Sequence, residues 1–280
     1  MLPIKYMLST AALATLAACG GGSGSTGGGT TPPPSATTQS VGGIWTTQYT
    51  VTSGANTGDV IVAEGIASET GQYFAYSKNT TNGCAGLAFG QLSVNGSNVS
   101  GNEDAAIVRY STAVGGATNC VYPDGSTSAT GTITGTVAQR ASLMLTATGT
   151  TSLGGALPAE ATTFTFSSLY LNSSSLATIA GNYNDGGPTM TVDANGAIFE
   201  QDPNGCVLSG QVSIINSSYN AYGIQLTFAN CTGTNANLNG VTASGLVTLD
   251  TSTSPTTIVG GLTANVAGQL FVEVFTLPRM

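Results

Sequence analysis

The sequence predicts an all-β protein built as two tandem small antiparallel β-barrels or β-sandwiches, produced by internal duplication and set behind an export signal and a disordered tether. Three observations predict it. The polar material is Thr, Ser, Asn and Gly, while charged residues make up only 6% of the 280 residues and Gly alone numbers 39. That mix is poor for helices and suits strands joined by frequent turns. The hydrophobic residues, 41% of the chain, fall in short alternating runs bounded by turn formers. Finally, a series of motifs in the first half returns in the same order in the second.

Residues 1–18 read as a signal peptide. Lys5 precedes an uncharged run from Tyr6 to Ala18. A helix needs about 20 apolar residues to cross a bilayer, so this run is too short to be a membrane span. A cationic start, a short apolar core and a small-residue end make a secretory signal. No second long apolar run follows Ala18, so an integral helical membrane protein is not expected.

The signal ends Leu16-Ala17-Ala18-Cys19-Gly20. This resembles the lipobox of bacterial lipoproteins, the substrates of signal peptidase II. The resemblance implies cleavage before Cys19, a diacylglyceryl thioether on its sulfur, and acylation (palmitate) of the new amino terminus. Several acyl chains together anchor a protein stably to a membrane. Gly20 stands where an Asp would favour inner-membrane retention, so the same resemblance implies the outer membrane.

Residues 19–40 form the lipidated Cys and its tether. Gly and Ser supply flexibility, and Pro32-Pro33-Pro34 a short stiff piece. About 20 such residues span on the order of 25 Å as a coil.

The first β-domain is assigned to 41–175. Strands are expected at Ile44–Val51, Asp59–Val62, Gly71–Tyr76, Leu87–Val94, Ala106–Tyr110, Gly131–Val137 and Leu143–Thr148. Phe164–Phe166 leads into Leu169–Leu171 to close the series. Asn95-Gly96-Ser97-Asn98 is a hairpin signal.

The second β-domain is assigned to 176–280, where the pattern restarts. Gly181-Asn182-Tyr183 echoes Gly43-Ile44-Trp45, and Asn204-Gly205-Cys206 repeats Asn82-Gly83-Cys84. Gly210–Ile214 repeats Gly90–Val94, and Asn230-Cys231 matches Asn119-Cys120. Strands are expected at Thr189–Val192, Ala197–Glu200, Cys206–Ile215, Tyr222–Phe228, Val241–Leu249, Thr257–Leu262 and Gln269–Leu277. The last is apolar on both faces except at Glu273, which places it in a barrel wall or between the halves. Seven or eight short strands per half fit a small barrel or sandwich.

The opening Gly-x-Trp resembles lipocalin-like barrels, whose early Trp plugs the barrel base. The tether and paired lobes are similar to those of transferrin-binding-type surface lipoproteins. Their distinguishing motifs are not present, so that likeness is one of architecture only.

With Cys19 lipidated, four cysteines remain, and export places them where disulfides persist. Four cysteines allow three pairings. The duplication selects one pair per copy, Cys84–Cys120 and Cys206–Cys231. No Cys-x-x-Cys spacing and no histidine support zinc or redox chemistry.

The absence of histidine excludes Ser-His-Asp and Cys-His catalysis and the commonest transition-metal ligand. A Ser–Lys nucleophile would have to use Ser77 and Lys78, whose side chains leave a strand on opposite faces. Glu200 with Asp202, or Glu103 with Asp104, could do glycosidase work, but such pairs normally face each other from different elements. Asp193-x-Asn195-Gly196 and Asp202-x-Asn204-Gly205 resemble fragments of calcium loops; hairpin turns explain them without a metal. Tyr73, Phe74, Tyr76, Tyr219 and Tyr222 could form a sugar- or peptide-binding face, though at strand spacing one set belongs to the core. Acids outnumber bases 13 to 5. Such a chain is repelled by phosphate backbones, and nucleic acid is not an expected partner.

The expected function is therefore a lipid-anchored envelope protein with no cofactor and no enzymatic activity, presenting two disulfide-stapled β-domains to bind a protein or carbohydrate or to give support. The alternatives are a lipocalin-like carrier, which requires an open apolar cavity, and an envelope hydrolase or inhibitor acting without histidine.

Overall fold

A computed structural model describes residues 39–51, 57–109, 120–203 and 205–280. The signal, Cys19 and nearly all of the tether lie outside the described residues, as do Tyr110, Asn119 and Asn204.

The first half is eight strands: β1 Gly43–Thr50, β2 Val60–Ala67, β3 Gln72–Asn79, β4 Cys84–Asn95, β5 Asn98–Arg109, β6 Ser128–Ala138, β7 Ser142–Thr151 and β8 Ala156–Ser167. Each strand pairs antiparallel with the next, and β8 returns to β1, pairing Phe166 with Trp45. The sheet is thus a closed up-and-down barrel with no free edge.

A 3₁₀ turn, Ser168–Leu171, and a one-turn helix, α1 Leu176–Ile179, link the halves. Eight more strands follow: β9 Gly181–Tyr183, β10 Met190–Val192, β11 Ala197–Gln201, β12 Val207–Ile214, β13 Tyr222–Ala229, β14 Thr242–Asp250, β15 Thr257–Val266 and β16 Gln269–Pro278. They form a second antiparallel meander in chain order. Its first and last strands meet at a single bridge between Tyr183 and Arg279. Two backbone bonds support the bridge, Asn184 N–H to Pro278 O (3.0 Å) and Met280 N–H to Asn182 O (2.8 Å).

The two halves repeat one another in detail. At the base of each, an aromatic side chain donates to the carbonyl four residues upstream: Trp45 Nε1 to Val41 (2.8 Å), Tyr183 Oη to Ile179 (2.6 Å). Gln91 and Gln211 each cross to the preceding hairpin, donating to Thr70 O and Asn195 O. The facing turn residues, Gly71 and Gly196, have φ of 87° and 82°. A β-carbon there would press on the Leu92 or Val212 carbonyl oxygen, so glycine is required twice over. Cys84 bonds Cys120 and Cys206 bonds Cys231, closing spans of 36 and 25 residues at equivalent corners. These are the two within-copy pairs.

Several expected elements differ. β5 and β8 start well before Ala106 and Phe164, and Leu169–Leu171 is a 3₁₀ turn that turns Tyr170 inward rather than a strand. The link runs over the second half and is stitched to it. Asn220, 2% exposed, receives its N–H bond from Leu249 and donates its amide to Leu169 O and Leu249 O.

The halves pack through an apolar cluster of Ile44, Ile66, Phe74, Tyr170, Ala221 and Leu246. β16 supplies Val272 and Val274 to this cluster, and Phe271 and Phe275 to the core of the second sheet. Both faces of the last strand are covered, as its two-sided apolar pattern implies. Fully burying a side chain such as Phe74 is worth about 1.5–3 kcal/mol.

Candidate functional site

Strand register decides which side chains enter each barrel. In the first, the inward series are Ala63, Gly65 and Ala67 from β2, Ala75 and Ser77 from β3, and Gly101, Glu103 and Ala105 from β5. Gly131, Ala147 and Gly149 follow across the barrel. An eight-stranded barrel has an interior just wide enough for side chains to fill. Small residues at so many inward positions leave it unfilled.

The result is a cavity of about 270 Å³. Its floor is the Trp45 indole, wedged edge-on against Phe166 at 5.4 Å, with Tyr73, Leu92 and Ile133 around it. The Trp plug expected from the Gly-x-Trp opening therefore sits at the barrel base. Toward the other end lie Tyr49, Asn79, Cys84, Tyr122 and Pro158.

Two carboxylates point into this mostly apolar space, Glu103 from β5 and Glu160 from β8. Glu103 sits between Gly90 and Gly131 in the ladder, where the absence of neighbouring side chains gives it room. Glu160 owes its direction to a bulge. Ala147 pairs with Glu160, yet Gly149 pairs with Leu157, so β8 carries an extra residue. This lets Leu157 and Glu160, three apart, both line the cavity, and Pro158 falls where a ladder N–H is dispensable.

Burial pushes Glu103 up to about 7, with the charges of Glu160 and Asp104 adding to it. Burial also raises Glu160, partly offset by the Tyr49 hydroxyl that donates to it at 3.4 Å. The two carboxyls share one low-dielectric space and titrate jointly: ionising one raises the other. Burial, then Glu103 and Asp104, raises the Tyr73 phenol as well. No lysine or arginine is among the described residues that line the cavity.

The second sheet repeats the meander but closes only at the Tyr183–Arg279 bridge, and its interior is filled. Met190, Val192, Leu208, Ile224, Leu226 and Phe228 occupy its inward positions, and Phe228 meets Phe271 edge-on at 5.4 Å. It too has an inward carboxylate pair. Burial pushes Glu200 up to about 7, reinforced by Glu273, Asp185 and Asp202, and burial raises Glu273. Glu160 and Glu273 occupy equivalent places. Each precedes by the same number of residues the one that faces the basal aromatic, Phe166 opposite Trp45 and Arg279 opposite Tyr183.

The other residues read from sequence fall as follows. Ser77 lines the cavity while Lys78 lies outside over the Tyr76 ring at 4.9 Å, so they do not meet. Asp104 follows Glu103 on the opposite face of β5, and it is Glu160 that shares the cavity with Glu103. Asp193 Oδ1 accepts the N–H groups of Asn195 and Ala197, and Asp202 Oδ1 that of Cys206: these carboxylates close turns. Among the described residues no group of three or more Cys, Asp or Glu side chains is placed to hold a metal. The aromatic residues do not form one exposed face. Tyr73 lies inside the barrel, Tyr222 is buried in the second core, Phe74 is covered at the junction, and Tyr219 stacks on Tyr170 at 4.9 Å. Alternation along β3 sends Tyr73 to the barrel interior and Phe74 to the junction.

A second hollow of about 310 Å³ lies between the halves, bordered by Gln72, Phe89, Asn102, Ser244 and Thr263. Comparison with protein-family models, curated proteins and solved structures finds no match.

Proposed function

We propose that this chain is a lipid-anchored protein of the bacterial envelope whose first barrel carries a small, mostly apolar molecule, with the second β-body as a solid support. Cys19 would hold it to the outer membrane, and the tether would lift the two bodies clear of the surface. The role is one of binding. One observation carries the reading: two copies of one architecture differ in their interiors, one packed with large side chains and one hollow. Ligand sites are concave and mostly apolar with a few placed polar groups, and the first barrel has that character while the second does not.

The test is to purify the protein from envelopes under mild conditions and weigh it intact. A bound molecule of low mass is expected. A variant with Ala105→Leu and Ala147→Leu, which fills the cavity, should fold and emerge empty. A filled variant that still carries the same molecule would sink the proposal. The anchor is tested separately: Cys19→Ser should remove the acyl mass and release the protein from membranes. Protease shaving of intact cells then distinguishes surface display, which exposes the β-bodies to cleavage, from a periplasmic face.

A further inference from the structure

We infer that the molecule held in the first barrel is a small apolar amine, seated with its ammonium group against Glu103 and Glu160. This rests on the carrier reading above and names its ligand class. The cavity wall is built from Ala, Gly and aliphatic side chains, which suits a hydrocarbon body. Both of its ionisable carboxyls enter from strands that are not neighbours, β5 and β8. No side chain among the described residues hydrogen-bonds the Glu103 carboxylate, and only Tyr49 donates to Glu160.

A carboxylate in an apolar enclosure without a partner is costly. The same charge beside a ligand cation regains Coulomb and hydrogen-bond energy in a low dielectric. Among the described residues that line the cavity there is no arginine or lysine to supply that cation from within. An acidic ligand would bring a third negative group into the space, which selects against it. The phenol rings of Tyr49 and Tyr73 add faces that favour a cation further. The second half retains its own inward pair, Glu200 and Glu273, but its interior is filled, so the charge pattern alone does not make a site there.

The test uses the chain from Gly20 onward, which keeps both β-bodies and needs no detergent. Three probes of equal length, octylammonium, octanol and octanoate, are titrated calorimetrically near pH 8. Octylammonium should bind at least ten-fold tighter than octanol, and octanoate weakest. The double variant Glu103→Gln, Glu160→Gln should keep octanol binding, which shows an intact cavity, and lose the amine preference. Octanoate binding as well as octylammonium, or a double variant that still prefers the amine, overturns the inference. Octanol binding with no advantage for the amine overturns it too, yet leaves the carrier reading standing. Failure of all three probes overturns both.

Discussion

The Phe74 ring of the first barrel lies over Gly261 of the second sheet, so close that a β-carbon at 261 would collide with it. The contact works as a knob on a bare patch of strand, flanked by Val272 and Val274. Gly261→Val should cost about 1–3 kcal/mol by overpacking. Phe74→Ala should cost about 3–5 kcal/mol through the void it leaves. The double variant should lose less than the sum of the two, because removing the ring gives the new side chain its space. Urea denaturation of the four proteins measures the coupling; strict additivity would mean the two residues do not meet.

Stability should fall as pH rises through neutrality. Glu103 and Glu200 are each pushed from 4.5 to about 7 in the folded protein. A raised acid binds its proton more tightly when folded, so the folded state gains on the acid side. That contribution is whole below about 4.5 and is lost as pH climbs through about 7. For Glu103 the upper bound is roughly 3 kcal/mol. Asp124 runs the other way. Hydrogen bonds from Thr151 and Ser126 lower it to about 2, so its contribution exists above 3.8 and goes as pH falls. Glu103→Gln should flatten the neutral slope. If wild type and variant show the same slope between about pH 5 and 8, Glu103 is not the group responsible.

Each disulfide closes a substantial span, 36 residues in the first half and 25 in the second. In the chain-entropy account, losing either costs roughly 3–4 kcal/mol as an upper bound. Replacing Cys84 and Cys120 by Ala should weaken mainly the first barrel. Replacing Cys206 and Cys231 should weaken mainly the second. Hydrogen exchange resolved by segment checks this; equal loss of protection in both halves from one pair would contradict it.

Asn220 ties the link to the second sheet through both ends of its amide, and Thr248 donates to its carbonyl at 2.7 Å. Asn220→Ala strands the Leu249 N–H in a buried site. The expected cost is about 1–3 kcal/mol, with faster exchange at Leu249. An unchanged melting temperature would show that water replaces the amide.

Much of this fold is legible in the sequence wherever the inward positions are large and apolar. β7 can be read from Leu143 and Leu145, β13 from Ile224, Leu226 and Phe228. The front parts of β5 and β8 are not legible, and for one reason. Their inward residues are Gly101, Glu103 and Ala105, and Leu157, Glu160 and Thr162, which face a void. Alternation in hydrophobicity reports a packed interior, so it fades where the interior is empty. The carboxylate pairs are not legible because their members are far apart in sequence, while Glu103 stands beside Asp104 and Glu200 two residues from Asp202. Only register brings Glu160 and Glu273 to them. One signal was available: Glu273 is the single charge on an otherwise apolar β16, and Glu160 holds the same place in β8.

The meander connectivity also fixes how the chain can assemble. Within each half every strand after the first pairs with its immediate predecessor, so each half can grow hairpin by hairpin. The sole distant step in the first half is the docking of β8 on β1, and it needs nothing that lies beyond Ser167. A chain that emerges amino terminus first can therefore seal its hollow barrel before the second half is available. The second half can then fold against a finished surface, with Phe74 already in place to meet Gly261 of β15.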